Sequence, residues 1–191
     1  FVPNGKPQHV KGFLKEFAQT AKTASEFLND VAKLGAPMVG LDASLVLVYR
    51  DEYVKTLGES RGNYQVSLFH EWLQHQALPQ AKGQGYRLLA HCTEKTALPA
   101  TEKTWQQIFK KAGLQLDVVA VGCCGMAGTY GHELQNQVTS RALYDMSWQS
   151  HVQANDARPL LVTGFSCRSQ VKRYEGAKPL HPLQALLRQI S

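Results

Sequence analysis

The sequence has 191 residues, 43% of them hydrophobic and 19% charged, with a formal net charge of +6, enough chain to bury a core as one large domain or two small ones. No apolar run approaches the roughly 20 residues that cross a bilayer, and no basic-then-apolar leader opens the chain, so the expectation is a cytoplasmic location, at most peripheral to the inner membrane face. Basic residues are scattered apart from a modest cluster at Arg168, Lys172, Arg173 and Lys178, and no aromatic-interleaved basic strand is visible, which argues against a nucleic-acid partner.

Read from its start, Phe1-Val2-Pro3-Asn4-Gly5 suggests an excised piece of a longer protein. From about Gly12 to Leu34 the residues Phe13, Phe17, Ala21, Ala24, Phe27, Leu28 and Val31 fall near one helical stripe, stopped by Gly35 and Pro37. Met38 to Leu41 predicts a short buried strand, Ser44 to Leu57 a helix ended by Gly58, and Gln65 to about Gln76 a further helix carrying Phe69 and Trp72. Tyr86 to Ala90 predicts a strand running into His91-Cys92. Thr101 to Ala112 is amphipathic, with Trp105, Ile108 and Phe109 inward. Leu116 to Val121 is a β-branched strand that runs into Gly122-Cys123-Cys124-Gly125. A helical stretch from His132 to Gln153 follows, with Glu133 at its positive end. Leu160 to Thr163 is the last strand, leading to Gly164-Phe165-Ser166-Cys167, and His181-Pro182 opens a closing helix. Trp72, Trp105 and Trp148 sit on apolar stripes and read as core or interface.

Strands alternating with helices predict an α/β fold with a mostly parallel sheet flanked by helices. Cys92, Cys123 and Cys167 each follow a strand, so the cysteines should gather at the carboxyl edge of the sheet, where such folds place their ligands. Residues 1–34 are expected to form a helical segment packed on the cysteine-rich domain of residues 35–191.

The spacings between the cysteines are too long for a zinc ribbon and close only through the fold. Adjacent Cys123 and Cys124, with Gly122 and Gly125 to permit a turn, suit a multi-iron cluster better than one ion, and four thiolates match a [4Fe–4S] ligand count. Buried inert thiols, a vicinal disulfide and thiol-redox chemistry remain open beside ligation. His91 and His132 flank the blocks as candidate ligands or proton carriers; for His91 the expectation is a ring whose nitrogens are satisfied by nearby backbone or carboxylate. Arg168 and Lys172, one turn apart beyond Cys167, are placed to contact an anionic substrate or stabilise thiolates, or simply to form a solvated face. No residue is singled out as catalytic.

The run from Val121 to Glu133, containing Cys123-Cys124-Gly125-Met126-Ala127-Gly128-Thr129-Tyr130, resembles the Cys-Cys-Gly motif of the cysteine-rich domain shared by heterodisulfide reductase, the iron–sulfur subunit of glycolate oxidase and the anaerobic glycerol-3-phosphate dehydrogenase. His91-Cys92-Thr93-Glu94-Lys95-Thr96 and Gly164 to Gln170 resemble its upstream and downstream blocks, and Gly40 to Ser44 with Tyr49 to Glu52 its opening strand and helix. The chain also resembles the domain at the carboxy terminus of long polypeptides that carry an FAD-binding module and a ferredoxin-like module, the dehydrogenases of D-2-hydroxyglutarate or D-lactate type. One departure stands out: Gly164 occupies the first position of the family's terminal Cys-x-x-Cys, leaving four cysteines of five.

The resemblance implies oxidation of a D-2-hydroxy acid to the 2-oxo acid by a larger protein, with FAD and [4Fe–4S] in upstream modules. This domain would shape the active site or the electron exit, holding an iron–sulfur cluster, zinc or nothing. The alternative is a non-catalytic metal-binding or docking domain that recruits an electron acceptor, whose identity the resemblance does not give. No glycine-rich phosphate-binding turn lies between a strand and a helix here, so the chain alone is expected to bind no FAD and to show no dehydrogenase activity. Purified in air, it is expected to hold little iron–sulfur cluster.

Overall fold

The computed structural model describes residues 2–190. In it the short β-branched runs become parallel strands and the amphipathic stretches become helices, as the α/β expectation requires. Backbone proximity divides the chain into two units, Phe1–Trp72 and Leu73–Ser191.

In the first unit, helix α1 (Lys6–Val10) precedes the long helix α2 (Leu14–Ala32). Helix α2 buries Phe17, Ala21 and Ala24 at helical spacing, while Phe13 and Phe27 are exposed. At 100° per residue Phe27 lies about 80° from Phe17 around the axis, off the buried stripe. Ser25 is buried instead, with Oγ 3.1 Å from the Tyr64 hydroxyl. Strand β1 (Met38–Gly40) leads to α3 (Ala43–Arg50) and α4 (Glu52–Leu57), two pieces where one helix was expected. The segment read as a helix from Gln65 begins as strand β2 (Val66–Leu68), parallel to β1, and becomes helix α5 only over Phe69–Leu73. Tertiary pairing overrides helical periodicity there, since a three-residue strand is too short to show alternation.

The second unit holds a three-stranded parallel sheet of order β4-β3-β5, formed by β3 (Tyr86–Leu89), β4 (Leu116–Val118) and β5 (Leu160–Val162). All four residues of central β3 are buried, as expected for a strand covered on both faces. Even Arg87 is only 7% exposed; its guanidinium meets Asp156 at 3.3 Å and donates to the His151 carbonyl. Helices α6 (Cys92–Ala97) and α7 (Thr101–Lys111) connect β3 to β4, as a parallel crossover requires. Between β4 and β5 run α8 (Gln137–Tyr144), a wide π-type turn (Asp145–Gln149) and α9 (Ser150–Val152). The helix expected from His132 thus starts at Gln137. Glu133 has extended backbone and accepts the side-chain amides of Gln135 and Asn136 at 3.1 Å, holding tight turns where the helix was expected. Helices α10 (Phe165–Glu175) and α11 (Pro182–Ile190) close the chain.

Among the described residues no helix is long and apolar enough to cross a membrane. The core beside the sheet's carboxyl edge contains Leu89, Met126, Tyr144, Trp148, Val162 and Val171 together with Cys124 and Cys167. Trp105 and Trp148 are buried, as their stripes suggested.

Candidate functional site

Each strand of the second unit ends in a turn that carries a cysteine. Beyond β3, His91 has extended backbone and Cys92 opens α6; beyond β5, Gly164 does the same for α10, which carries Cys167 in its first turn. Beyond β4 the chain makes a loop through Gly122-Cys123-Cys124-Gly125. Gly125 has φ +85°, and a Cβ there would lie 2.1 Å from the Ser140 carbonyl oxygen. Glycine is required on both counts. Ala127 also has positive φ, at +40°, a conformation that costs an L-residue about 1–2 kcal/mol and that the surrounding hydrogen bonds must hold in place.

Those bonds are numerous. Ser140 Oγ donates to the Gly125 carbonyl at 2.8 Å, and Gln170 Nε2 donates to the Cys124 carbonyl at 3.1 Å and to Ser140 Oγ at 2.8 Å. Arg173 donates to the Gly131 carbonyl at 2.6 Å, and Trp148 Nε1 to the Gly122 carbonyl at 3.1 Å. Ser147 Oγ accepts the Gly122 N–H at 2.6 Å, and Lys95 Nζ donates to the Val121 carbonyl. Sequence reasoning gave none of these residues a role in the loop. Only Gln170, one turn beyond Cys167 on the same helix, carried a usable signal.

The loop brings the four sulfurs to one place. The four thiols lie close enough to shift one another's pKa: Cys123 interacts with Cys92 and Cys124, and Cys124 in turn with Cys167. All four cysteines are free of disulfides, Cys92 and Cys123 half-buried and Cys124 and Cys167 buried. Cys123 Sγ also accepts the backbone N–H of Gly125, at 3.3 Å, and that of Ala127. Hydrogen bonds from the Cys124 and Cys92 thiols and these two N–H groups, against the opposing effect of burial, hold Cys123 far below the ordinary thiol range. Cys124 is pushed up by its hydrogen bonds to Cys123 and Cys167 and by burial; Cys92 is pushed up by its hydrogen bond to Cys123 and by burial. The lowered pKa thus falls on Cys123, between two neighbours whose pKa values are raised.

The candidate side chains around the sulfurs divide. His91 is buried, its ring against Gly164. Both its nitrogens were expected to have backbone or carboxylate partners, and they do not: Nε2 lies 3.4 Å from Ser166 Oγ, while Nδ1 is buried with no partner. The ring lies against the bare Cα of Gly164, where a Cβ would come 2.3 Å from its Cδ2. His132 is exposed in the short turn Tyr130–His132. Arg168 donates to the carbonyls of Val162 and Thr163 at 3.0 and 2.9 Å, anchoring the end of β5, and Lys172 is exposed one turn further along α10.

As donors, four sulfurs with backbone N–H groups directed at three of them suit a thiophilic metal or an iron–sulfur cluster. As placed, they influence one another in pairs, Cys92 with Cys123, Cys123 with Cys124 and Cys124 with Cys167. Among the described residues no group of three or more His, Cys, Asp or Glu is set to hold an ion. Ligation therefore requires these thiol–thiol interactions to give way to sulfur–metal bonds, with loss of the thiol protons.

Compared with known proteins, the chain aligns over 98% of its length with D-2-hydroxyglutarate dehydrogenases. It is 57% identical over 192 residues to that of Pantoea ananatis and 52% identical over 191 residues to that of Escherichia coli K12. It spans 19% of the length of each. A more distant likeness, 25% identical over 191 residues, covers 95% of this chain and 48% of a subunit of the anaerobic glycerol-3-phosphate dehydrogenase of Escherichia coli K12. No family model and no solved structure matches. The resemblance read from the three cysteine blocks is borne out: the chain is homologous to a region making up about a fifth of oxidoreductases named for D-2-hydroxyglutarate.

Proposed function

We propose that this chain is the cysteine-rich carboxy-terminal domain of an FAD- and iron–sulfur-dependent dehydrogenase that oxidises a D-2-hydroxy acid, D-2-hydroxyglutarate by the names of its relatives, to the 2-oxo acid. One observation carries the reading. Four free cysteines meet at the carboxyl edge of a parallel sheet, in a chain alignable almost end to end with such dehydrogenases. The remaining four-fifths of the relatives' length is room for the flavin and ferredoxin-like modules, which supply hydride acceptance and one-electron exit when their groups are bound.

Within this domain, Cys92, Cys123, Cys124 and Cys167 are the residues to hold an iron–sulfur cluster or zinc. Backbone N–H groups at Thr93, Gly125, Ala127 and Met126 stabilise negative sulfur there, as hydrogen bonds to thiolate ligands do in such centres. Ser140 and Gln170 hold the loop that presents the adjacent pair. Arg168 acts by fixing the end of β5 beside Cys167. The domain thereby shapes the active site or the electron exit of a protein placed in the cytoplasm.

The test is turnover of D-2-hydroxyglutarate by the complete polypeptide, with an artificial dye and with its physiological acceptor, before and after Cys123→Ser and Cys167→Ser. Loss of rate with both acceptors supports the reading, as does the inactivity of this chain alone. Turnover by the isolated chain overturns it. Full rate with the dye and loss only with the physiological acceptor makes the domain a docking module instead.

A further inference from the structure

Helix α8, with the π-type turn that continues it, is apolar on two opposite sides. At 100° per residue the buried Ser140 and Tyr144 each lie about 160° around the axis from Ala142, while Val138 and Met146 lie about 40° to either side of it. The inward side grips the cysteine loop: Ser140 Oγ donates to the Gly125 carbonyl, and Trp148 Nε1, a turn beyond Tyr144, to the Gly122 carbonyl. The outward side is bare. Val138 is 83% exposed, Met146 82% and Leu134, in the turn before the helix, 82%, with Ala142 exposed between them. Single exposed apolar side chains are ordinary, but a helix with apolar residues on opposite sides is normally covered on both. Beside Val138 a shallow groove of about 460 Å³ opens between α8 and α10, lined by Gln137, Val138, Arg141, Arg173 and Tyr174. The guanidiniums of Arg141 and Arg173 stand 4.6 and 5.6 Å from the centre of the Tyr174 ring. Asp145 pairs with Arg141 at 2.7 Å, whereas exposed Arg173 donates to the Gly131 carbonyl and has no carboxylate partner among the described residues.

We propose that the outward face of α8, with Leu134, Val138 and Met146 as its apolar stripe and Arg141 and Arg173 along its edge, docks this domain onto the rest of its own polypeptide, through an apolar surface edged with carboxylates. This rests on the reading of the chain as one domain of a longer dehydrogenase and says which face meets the remainder. The chain spans 19% of the length of its relatives, so about four-fifths of such a polypeptide lies outside it. Three apolar side chains and two guanidiniums fall short of the ~800 Å² per partner that a stable complex between separate chains buries. A module on the same chain is instead present at about millimolar effective concentration, and a small interface then suffices. Methionine and arginine are favoured at interfaces, and a guanidinium without an acid of its own selects carboxylates opposite it. The helix so covered is the one whose other side holds the Cys-Cys-Gly loop, which places the docked module about 10 Å from that loop, the diameter of one helix.

The experiment is hydroxyl-radical footprinting of the complete polypeptide, read by mass spectrometry at Met126 and Met146. Methionine sulfur is readily oxidised when solvent reaches it, and buried Met126 supplies the slow standard in the same molecule. In the native polypeptide Met146 should be oxidised within about three-fold of the rate of Met126. Replacing Leu134→Asp and Val138→Asp together sets two unpaired charges against the docked surface and should speed Met146 about ten-fold while Met126 stays slow. Should Met126 become fast as well, the variant has unfolded, and Val138→Ser, which only trims the stripe, is read in its place. Rapid oxidation of Met146 in the native polypeptide overturns the proposal, leaving the face to a separate protein or to none. Protection that is lost on dilution overturns it in favour of a second copy, and protection that survives in the folded variants shows that the stripe is not what docks. Footprinting needs no turnover, so a polypeptide that leaves D-2-hydroxyglutarate unoxidised refutes the functional reading without touching this result.

Discussion

The two parallel sheets of this protein end in contrasting ways. In the first unit carboxylates close the strand ends: Asp42 Oδ1 accepts the Ser44 N–H at 2.9 Å to cap α3, and Glu71 Oε2 accepts the Leu68 N–H at 2.7 Å while pairing with Arg50 at 2.6 Å. In the second unit the sulfurs of Cys92, Cys123 and Cys124 receive backbone N–H bonds after β3 and β4, beside the hydroxyls of Thr163 and Ser147, which take those of His91 and Gly122. The carboxyl edge of a parallel sheet exposes N–H groups that attract anions in either case. A capping carboxylate finishes the fold, whereas a thiolate in the same setting remains a ligand and a nucleophile. Topology creates the opportunity, and residue chemistry decides whether structure or function takes it.

The contrast can be broken most severely at Gly125. Gly125→Ala combines a disfavoured φ with a Cβ 2.1 Å from a backbone oxygen, and should cost about 3 kcal/mol of the second unit's stability. Urea melts monitored through Trp148 fluorescence measure it; a loss under about 1 kcal/mol would show that the loop does not need this conformation. Gln170→Ala leaves the Cys124 carbonyl and Ser140 without their buried donor, an expected loss of about 2 kcal/mol. Thiol labelling should find Cys124 more reactive in that variant. Asp42→Ala, the corresponding change at a carboxylate-closed end, should cost about 1 kcal/mol and leave the reactivity of all four cysteines as it was.

The smallest effect compares two buried phenols. Burial pushes the hydroxyls of Tyr53, in the first unit, and Tyr144, in the second, above the ordinary tyrosine range. The folded chain therefore keeps these protons when the unfolded chain releases them near pH ~10. Their contribution is complete below that pH and is lost as pH rises beyond it. Tyr53 donates to the Asn4 carbonyl at 3.0 Å, whereas Tyr144 Oη has no partner. At neutral pH Tyr53→Phe should cost about 1 kcal/mol and Tyr144→Phe close to nothing. Both variants should flatten the alkaline fall in stability, a pattern that denaturant midpoints at neutral pH and above about pH 10 would reveal.

Much of this was already present in the order of residues. Apolar runs bounded by glycine marked four of the five strands, because a parallel strand packed between layers needs a continuous hydrophobic stretch, although β1, expected to be buried, leaves Val39 37% exposed. Three of those strands ran straight into cysteines, and the parallel topology then left those cysteines one edge on which to meet. The Cys-Cys-Gly run and its flanking blocks carried the family likeness without any knowledge of geometry. What escaped local reading depended on partners distant in sequence. Val66–Leu68 is a strand only because β1 lies beside it, and Phe27 is exposed only because the buried side of α2 is narrower than its apolar pattern. The lowered pKa of Cys123 follows from two thiols and two N–H groups converging on one sulfur, and spacing along the chain cannot express such convergence. Nor could it show that Gly164, standing where the family's fifth cysteine would be, leaves its space to the ring of His91. Local periodicity decides which residues are buried together in one element, but hydrogen bonding between loops is settled only when the sheet has brought their ends into contact.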